Sequence, residues 1–79
     1  MKEIDDQNRD EIIRACTSKL ASCSEDVDAL CLRGWAWLDK KRPSKAIEDF
    51  DRALYLNGRR GDALNNRGRA YSEKREYDQ

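Results

Sequence analysis

The 79-residue sequence contains no histidine, one proline and no long apolar run. Without histidine, the chain lacks the usual base that activates a serine or cysteine nucleophile, and it lacks the imidazole ligand of most zinc sites. Without an apolar run of about 18 residues, no segment is predicted to span a membrane. We therefore expect no catalytic residues, no metal or other cofactor, and no membrane partner.

Net charge is also missing, because 16 basic side chains balance 16 acidic ones. A chain without a basic field has no electrostatic reason to bind nucleic acid or an anionic membrane surface, so neither is expected as a partner. Residues 1–6 are polar and carry more acidic than basic side chains. They resemble neither a signal peptide nor a transit peptide, and a cytoplasmic location is the default prediction.

Cysteine is present in an odd number, as Cys16, Cys23 and Cys31. Their spacings of seven and eight positions contain no CxxC pair, which argues against the common zinc patterns. A reduced, buried cysteine behaves as a small apolar side chain. We expect this state for the three thiols, with Cys23 the most exposed because it lies nearest a predicted helix end.

What the sequence does contain is a stretch that occurs twice, at residues 28–37 and again at residues 62–71. The shift is 34 positions, and a fixed period of this length predicts a stacked repeat architecture. The pairs related by the shift are Asp28/Asp62, Ala29/Ala63, Leu30/Leu64, Arg33/Arg67, Gly34/Gly68, Ala36/Ala70 and, keeping the aromatic class, Trp37/Tyr71.

The pattern of apolar and turn-forming residues predicts an all-α chain of four amphipathic helices. Asn8 followed by Glu11 is typical of a capping box, and Ser24 is the expected cap of the second helix. Pro43 is expected to open the third helix, and Gly58 to close it in the left-handed conformation. The predicted helices cover about residues 8–22, 26–40, 44–57 and 62–75.

The residues at fixed positions of this period resemble those of the tetratricopeptide repeat (TPR) family, whose unit is a 34-residue helix–turn–helix. The resemblance implies antiparallel helix pairs of an α-solenoid, within a single small domain spanning residues 1–79. The implied units are the second half of one repeat, a full repeat and the first part of another, at residues 8–26, 27–60 and 61–79. The packing residues implied are Leu30, Gly34, Trp37, Ala46, Phe50 and Ala53, followed by Leu64, Gly68 and Tyr71 in the further unit.

Two glycines stand in the middle of predicted helices, where glycine costs roughly 0.5–1 kcal/mol relative to alanine. We interpret Gly34 and Gly68 as sites of close helix approach, with Ala46 and Ala53 as the small residues opposite. The sequence departs from the family pattern at Arg33, which replaces a leucine, as its copy Arg67 does, and at Lys41, which replaces a turn glycine.

The resemblance also implies a function, because TPR proteins typically bind peptides in a concave groove lined by the first helix of each unit. Trp35 is the side chain most typical of a binding hot spot, although packing within the chain is the alternative for it. A chaperone carboxylate clamp is not expected, since of the residues that this motif needs only Asn66 is present. The implied groove residues are Asp28, Cys31, Trp35, Leu38 and Asp39 in the full unit, and Asp62, Asn65, Arg69, Ser72 and Glu73 in the next.

The function predicted is therefore a protein–protein interaction module that binds a partner peptide or helix, or a second copy of itself, through this groove. The alternative is a structural, self-associating repeat fragment without a separate ligand. The fourth helix is expected to lack a covering helix. It then either caps the domain, pairs with another chain (with or without domain swapping), or continues into a longer repeat protein; we favour a homo-oligomer.

Overall fold

The computed structural model describes residues 2–78 and, of these, the side chains of residues 8–76. This part of the chain is all-α, as predicted, and successive helices pack against each other, with α4 also reaching α2. Met1 and Gln79, the ends of the predicted domain, lie outside the described residues. The helices are α1 (Lys2–Ser22), α2 (Val27–Asp39), α3 (Pro43–Leu56) and α4 (Gly61–Asp78).

The starts of the helices differ from prediction in two places. The helix α1 begins at Lys2, so Asn8 lies inside it and the predicted capping box is wrong. The cap of α2 is Asp26 and not Ser24: the Asp26 carboxylate accepts a hydrogen bond of 3.1 Å from the amide of Ala29. A carboxylate at this position satisfies a free amide and also interacts favourably with the helix dipole. Pro43 is the first residue of α3, as expected.

The turns between helices place the left-handed backbone at an unexpected residue. No described glycine has a positive φ, so the prediction for Gly58 is wrong. The C-cap of α3 is instead Asn57, which is extended with φ −147°. The left-handed residue is Lys41, with φ 65°, in the turn between α2 and α3. It stands where the repeat pattern has glycine, and a residue with a Cβ costs about 1 kcal/mol in this conformation.

The centre of the core is Phe50, which is fully buried on α3. A Cβ added to Gly34 would lie 2.7 Å from Cε1 of the Phe50 ring, closer than two carbon atoms approach. The close approach predicted for Gly34 is therefore present, and the atoms nearest to the added Cβ are those of this ring. Around Gly68, by contrast, no atom lies within 4 Å of the same added Cβ.

Arg33 connects three of the four helices. Its Nε and Nη2 atoms donate hydrogen bonds of 2.8 and 2.7 Å to the two carboxylate oxygens of Asp49 on α3. Its Nη1 atom donates a bond of 3.1 Å to the hydroxyl of Thr17 on α1. Asp49 is 5% exposed, and its hydrogen bonds raise the pKa of the Arg33 guanidinium. The arginine that replaces a leucine of the repeat pattern thus neutralises a buried carboxylate.

Candidate partner-binding cleft

A cleft of about 470 Å³ lies between α2 and α4. Four of its residues come from α2 at positions i, i+3, i+4 and i+7, a spacing that places them on one face of the helix. The others come from the start of α4 and the turn before it. The lining residues are Asp28, Cys31, Leu32, Trp35, Arg60, Asp62 and Asn66.

The thiol of Cys31 lies at the buried side of the cleft, where the residue is 6% exposed. Burial raises the pKa of Cys31, and it also raises the pKa of Cys16, the other buried thiol. A thiol that stays protonated is a weak nucleophile, so Cys31 serves here as apolar surface. Burial is confirmed for Cys16 and Cys31, and Cys23 is the exposed one of the three, as predicted.

Trp35 is half-buried and contacts α1 as well as the cleft. The guanidinium carbon of Arg9 lies 4.6 Å from the centroid of the Trp35 ring, a cation–π contact. Arg9 is in turn paired with the carboxylate of Asp39. Such contacts contribute about 0.5–1 kcal/mol at exposed sites, so they favour one orientation of the ring. Packing within the chain, the alternative named above, therefore holds for Trp35, and its contact with a partner stays a prediction.

The rim of the cleft is a cluster of one arginine and two carboxylates. Arg60 donates a hydrogen bond of 2.6 Å to Asp28 on α2 and two bonds of 3.0 Å to Asp62 on α4. The bond from Arg60 lowers the pKa of Asp62, and the two carboxylates together raise the pKa of Arg60. The cluster thus combines one guanidinium with two carboxylates, and its formal charge is one net negative.

The predicted groove residues divide into those that line this cleft and those that do not. Asp28, Cys31, Trp35 and Asp62 line it. Leu38 does not: it is 2% exposed in the core, so the expectation that it lines a groove is wrong. Its position seven residues after Cys31 fits the same helical stripe, but that end of the stripe lies inside the core. The remaining predicted residues, none of which lines the cleft, are Asp39, Asn65, Arg69, Ser72 and Glu73.

Two of these remaining residues interact with each other on α4. The Nε atom of Arg69 lies 3.5 Å from a carboxylate oxygen of Glu73, one helical turn away. The other oxygen of Glu73 is buried without a hydrogen-bond partner among the residues that the structure describes. Neither contact joins α4 to the cleft, and binding of a partner by any residue of the predicted set remains a prediction.

Three residues of the cleft were not in the predicted set, namely Leu32, Arg60 and Asn66. Leu32 and Asn66 are related by the 34-residue shift, so the repeat register itself contained the signal for them. Asn66 also stands at the carboxylate-clamp position named above. Arg60 follows another arginine at a helix boundary, a pattern that indicates ordinary helix-end charge, and no sequence signal distinguishes it.

The packing residues implied for the further unit are exposed. Leu64 is 47% exposed and Tyr71 is 51% exposed, and Gly68 faces open space. Within the described residues no helix covers this face of α4. These three residues therefore do not pack in the way that their counterparts Leu30 and Gly34 do.

Other kinds of site have no support in the described part of the chain. No group of three or more His, Cys, Asp and Glu residues lies there in a position to hold a metal ion. None of the helices over the described range is both long enough and apolar enough to cross a membrane.

The comparison with known proteins agrees with the packing of α2 on α3. The family model of the tetratricopeptide repeat matches residues 27–59, the range that contains Gly34 and Phe50. No curated protein and no solved structure was found that matches the chain. Repeats of this family are generally non-catalytic scaffolds for protein–protein interaction. The chain therefore contains a tetratricopeptide repeat at residues 27–59, and the function that this repeat implies in general is protein–protein interaction.

Proposed function

We propose that the protein binds a partner's peptide or short helix in the cleft between α2 and α4. The observation that carries the proposal is the position of Trp35, a half-buried tryptophan at the edge of a cleft of about 470 Å³. Tryptophan is among the residue types that contribute most to binding energy at protein interfaces. Its contact with Arg9 limits the motion of the ring, which lowers the entropy lost on binding.

The chemistry of the cleft suggests the partner. Cys31, Leu32 and Trp35 offer an apolar surface for an aliphatic or aromatic side chain, and Asn66 offers an amide that both donates and accepts hydrogen bonds. The net negative charge of the cluster around Arg60 favours a lysine or arginine next to that apolar side chain. We therefore propose a peptide with one apolar anchor and a neighbouring basic residue.

A peptide library selected on the intact protein tests the proposal. Selected peptides are expected to carry an apolar anchor beside a basic residue, and to lose at least about tenfold in affinity for Trp35→Ala, a loss of 1.4 kcal/mol or more. In ¹⁵N-labelled protein, they are expected to shift the amide signals of Cys31, Trp35 and Asn66. Helicity measured by circular dichroism should not change.

Tyr55→Ala is the matched control, because Tyr55 is an aromatic residue on α3 that is 81% exposed and lies outside the cleft. Its affinity for the selected peptides should equal that of the unchanged protein. Peptides that bind Trp35→Ala as tightly as the unchanged protein would show that the binding surface lies elsewhere.

A further inference from the structure

A second cleft, of about 190 Å³, lies between α1 and α2. Five of its lining residues are apolar or a buried thiol: Ile12, Ala15, Cys16, Ala29 and Leu32. Only Asp28 and Leu32 also border the cleft proposed above to bind peptides. The two clefts are therefore largely separate surfaces, and their roles can be tested separately.

The 34-residue register shows what this second cleft corresponds to. Asp49 and Phe50 stand 34 positions after Ala15 and Cys16, and are therefore their equivalents in the next repeat. Those two residues are 5% exposed or less, because α2 lies on them. The guanidinium of Arg33 binds Asp49, and the backbone at Gly34 lies against the Phe50 ring. One repeat earlier, the equivalents of these residues are Ala15, which is exposed, and Cys16, which is 3% exposed, and both line the α1–α2 cleft.

The helix α4 is the equivalent of α2 one repeat later. Within the described residues, the face of α4 that carries Gly68 is uncovered. Its residues Leu64, Gly68 and Tyr71 are the copies of Leu30, Gly34 and Trp37. The copies on α2 pack against the rest of the chain, whereas Leu64 and Tyr71 are about half exposed. The molecule thus carries both halves of one interface, with the α4 face on one side and the α1–α2 cleft on the other.

We propose that the α4 face of one copy of the protein docks in the α1–α2 cleft of a second copy, so that chains associate head to tail. The register places Gly68 of the first chain over Ala15 and Cys16 of the second chain, the equivalents of Asp49 and Phe50, with the exposed Ala15 as the accessible contact. The contact therefore repeats between two chains an interface that α2 and α3 already form within one chain.

The arginine at the centre of this face is already held in the matching position. The Nη1 atom of Arg67 donates a hydrogen bond of 2.8 Å to Asp51, as the same atom of Arg33 does to Thr17, and both pairs are 16 positions apart. The Nε and Nη2 atoms, which in Arg33 bind Asp49, have no hydrogen-bond partner for Arg67 within the described residues. In the proposed complex, these two atoms of Arg67 lie at Ala15 of the second chain, one helical turn from the exposed carboxylate of Glu11.

Such an interface joins two different surfaces, so each added copy leaves one face and one cleft open. Unless its rotation closes a ring, an interface of this kind produces open chains of increasing length. The average mass is then expected to increase with concentration through dimers, trimers and longer species, without a plateau at twice 9.2 kDa.

Two variants, each blocked at one end, test this proposal in sedimentation velocity experiments. Leu64→Asp places a charge on the α4 face, and Ala15→Arg places a bulky charge in the cleft. Both positions are exposed in the single chain, so the fold should remain intact, which circular dichroism checks. Each variant alone is expected to be monomeric, and an equimolar mixture is expected to form a dimer and nothing larger. Tyr55→Glu, at an exposed aromatic residue outside both surfaces, should associate like the unchanged protein.

Three results would overturn the proposal: a monomeric unchanged protein up to millimolar concentration, a mixture of the two variants that stays monomeric, or dimers of Ala15→Arg alone. The last result would indicate a symmetric contact between two α4 helices. Trp35 lines the peptide cleft and not the α1–α2 cleft, so Trp35→Ala should leave the mass distribution unchanged. Peptide binding and head-to-tail association can therefore fail independently of each other.

Discussion

The helices α2 and α4 share the residues of the repeat motif, yet within the described residues other helices cover this motif on α2 and leave it open on α4. The glycine of α2 lies against the Phe50 ring, whereas the glycine of α4 faces open space. Leu30 is 4% exposed, and its copy Leu64 is 47% exposed. The difference teaches that the repeat motif specifies a surface able to pack, while the neighbouring helix decides whether packing occurs.

The residues that differ between the copies follow the same division. Cys31 and Leu38 are buried on α2, and their copies on α4 are the polar residues Asn65 and Ser72, both exposed. These polar residues reduce the apolar surface area that α4 presents. Leu64 and Tyr71 nevertheless remain at the positions where a partner helix would contact them, which is the basis of the head-to-tail proposal.

The largest difference between the copies is expected for the two arginines. Arg33→Met leaves the buried carboxylate of Asp49 without its partner, and should lower the free energy of unfolding by about 3 kcal/mol. Arg67→Met removes an ion pair with Asp51 in which both side chains are at least one-third exposed, and should cost less than about 1 kcal/mol. Urea unfolding followed by circular dichroism measures both values.

A double variant serves as the control for the arginine experiment. Arg33→Met combined with Asp49→Leu replaces the pair with apolar side chains, and is expected to recover most of the lost stability. Equal losses for Arg33→Met and Arg67→Met would mean that burial of Asp49 is not what distinguishes the two arginines.

A smaller effect is expected in the rate of thiol modification at equivalent positions of the two copies. In a Cys23→Ser background, Cys31 should react slowly with a thiol reagent at neutral pH, because it is buried and burial raises its pKa. Asn65→Cys creates a thiol at the exposed copy of that position, and it should react at the rate of a free cysteine. Mass spectrometry of digested peptides measures each site, and comparable rates would contradict the division into a covered and an open copy.

Much of the fold was predictable because the signals that define it are local or periodic. The bounds predicted for the last three helices differ from the observed ones by one residue at most starts and ends, since Pro43 and the 34-residue period determine them. The start of α1 was not predictable from its caps: Asn8 and Glu11 form a plausible capping box, but the helix continues through them. Short capping motifs are weak signals when the residues before them also form a helix.

The cleft was predictable in part, for a reason that depends on neighbouring helices. The family resemblance named Asp28, Cys31, Trp35 and Asp62, all of which line the cleft. Spacing alone does not state which end of a stripe a third helix covers, and so Leu38 was wrongly assigned to the groove. Arg60 depends on a turn that brings it to Asp28, 32 residues away, and such a contact exists only in the folded chain.

The two glycines provide the most direct test of the account, because the same substitution is expected to have opposite effects. Gly34→Ala places a methyl group against the buried Phe50 ring, and should lower the free energy of unfolding by about 1–2 kcal/mol. Gly68→Ala adds a methyl group in open space, and the higher helix propensity of alanine should raise the free energy of unfolding by about 0.5–1 kcal/mol. Both are measured by urea unfolding in dilute protein, where association is weakest. The predicted result is a higher free energy of unfolding for Gly68→Ala and a lower one for Gly34→Ala. Changes of the same sign would contradict the claim that the repeat motif is covered on α2 and open on α4.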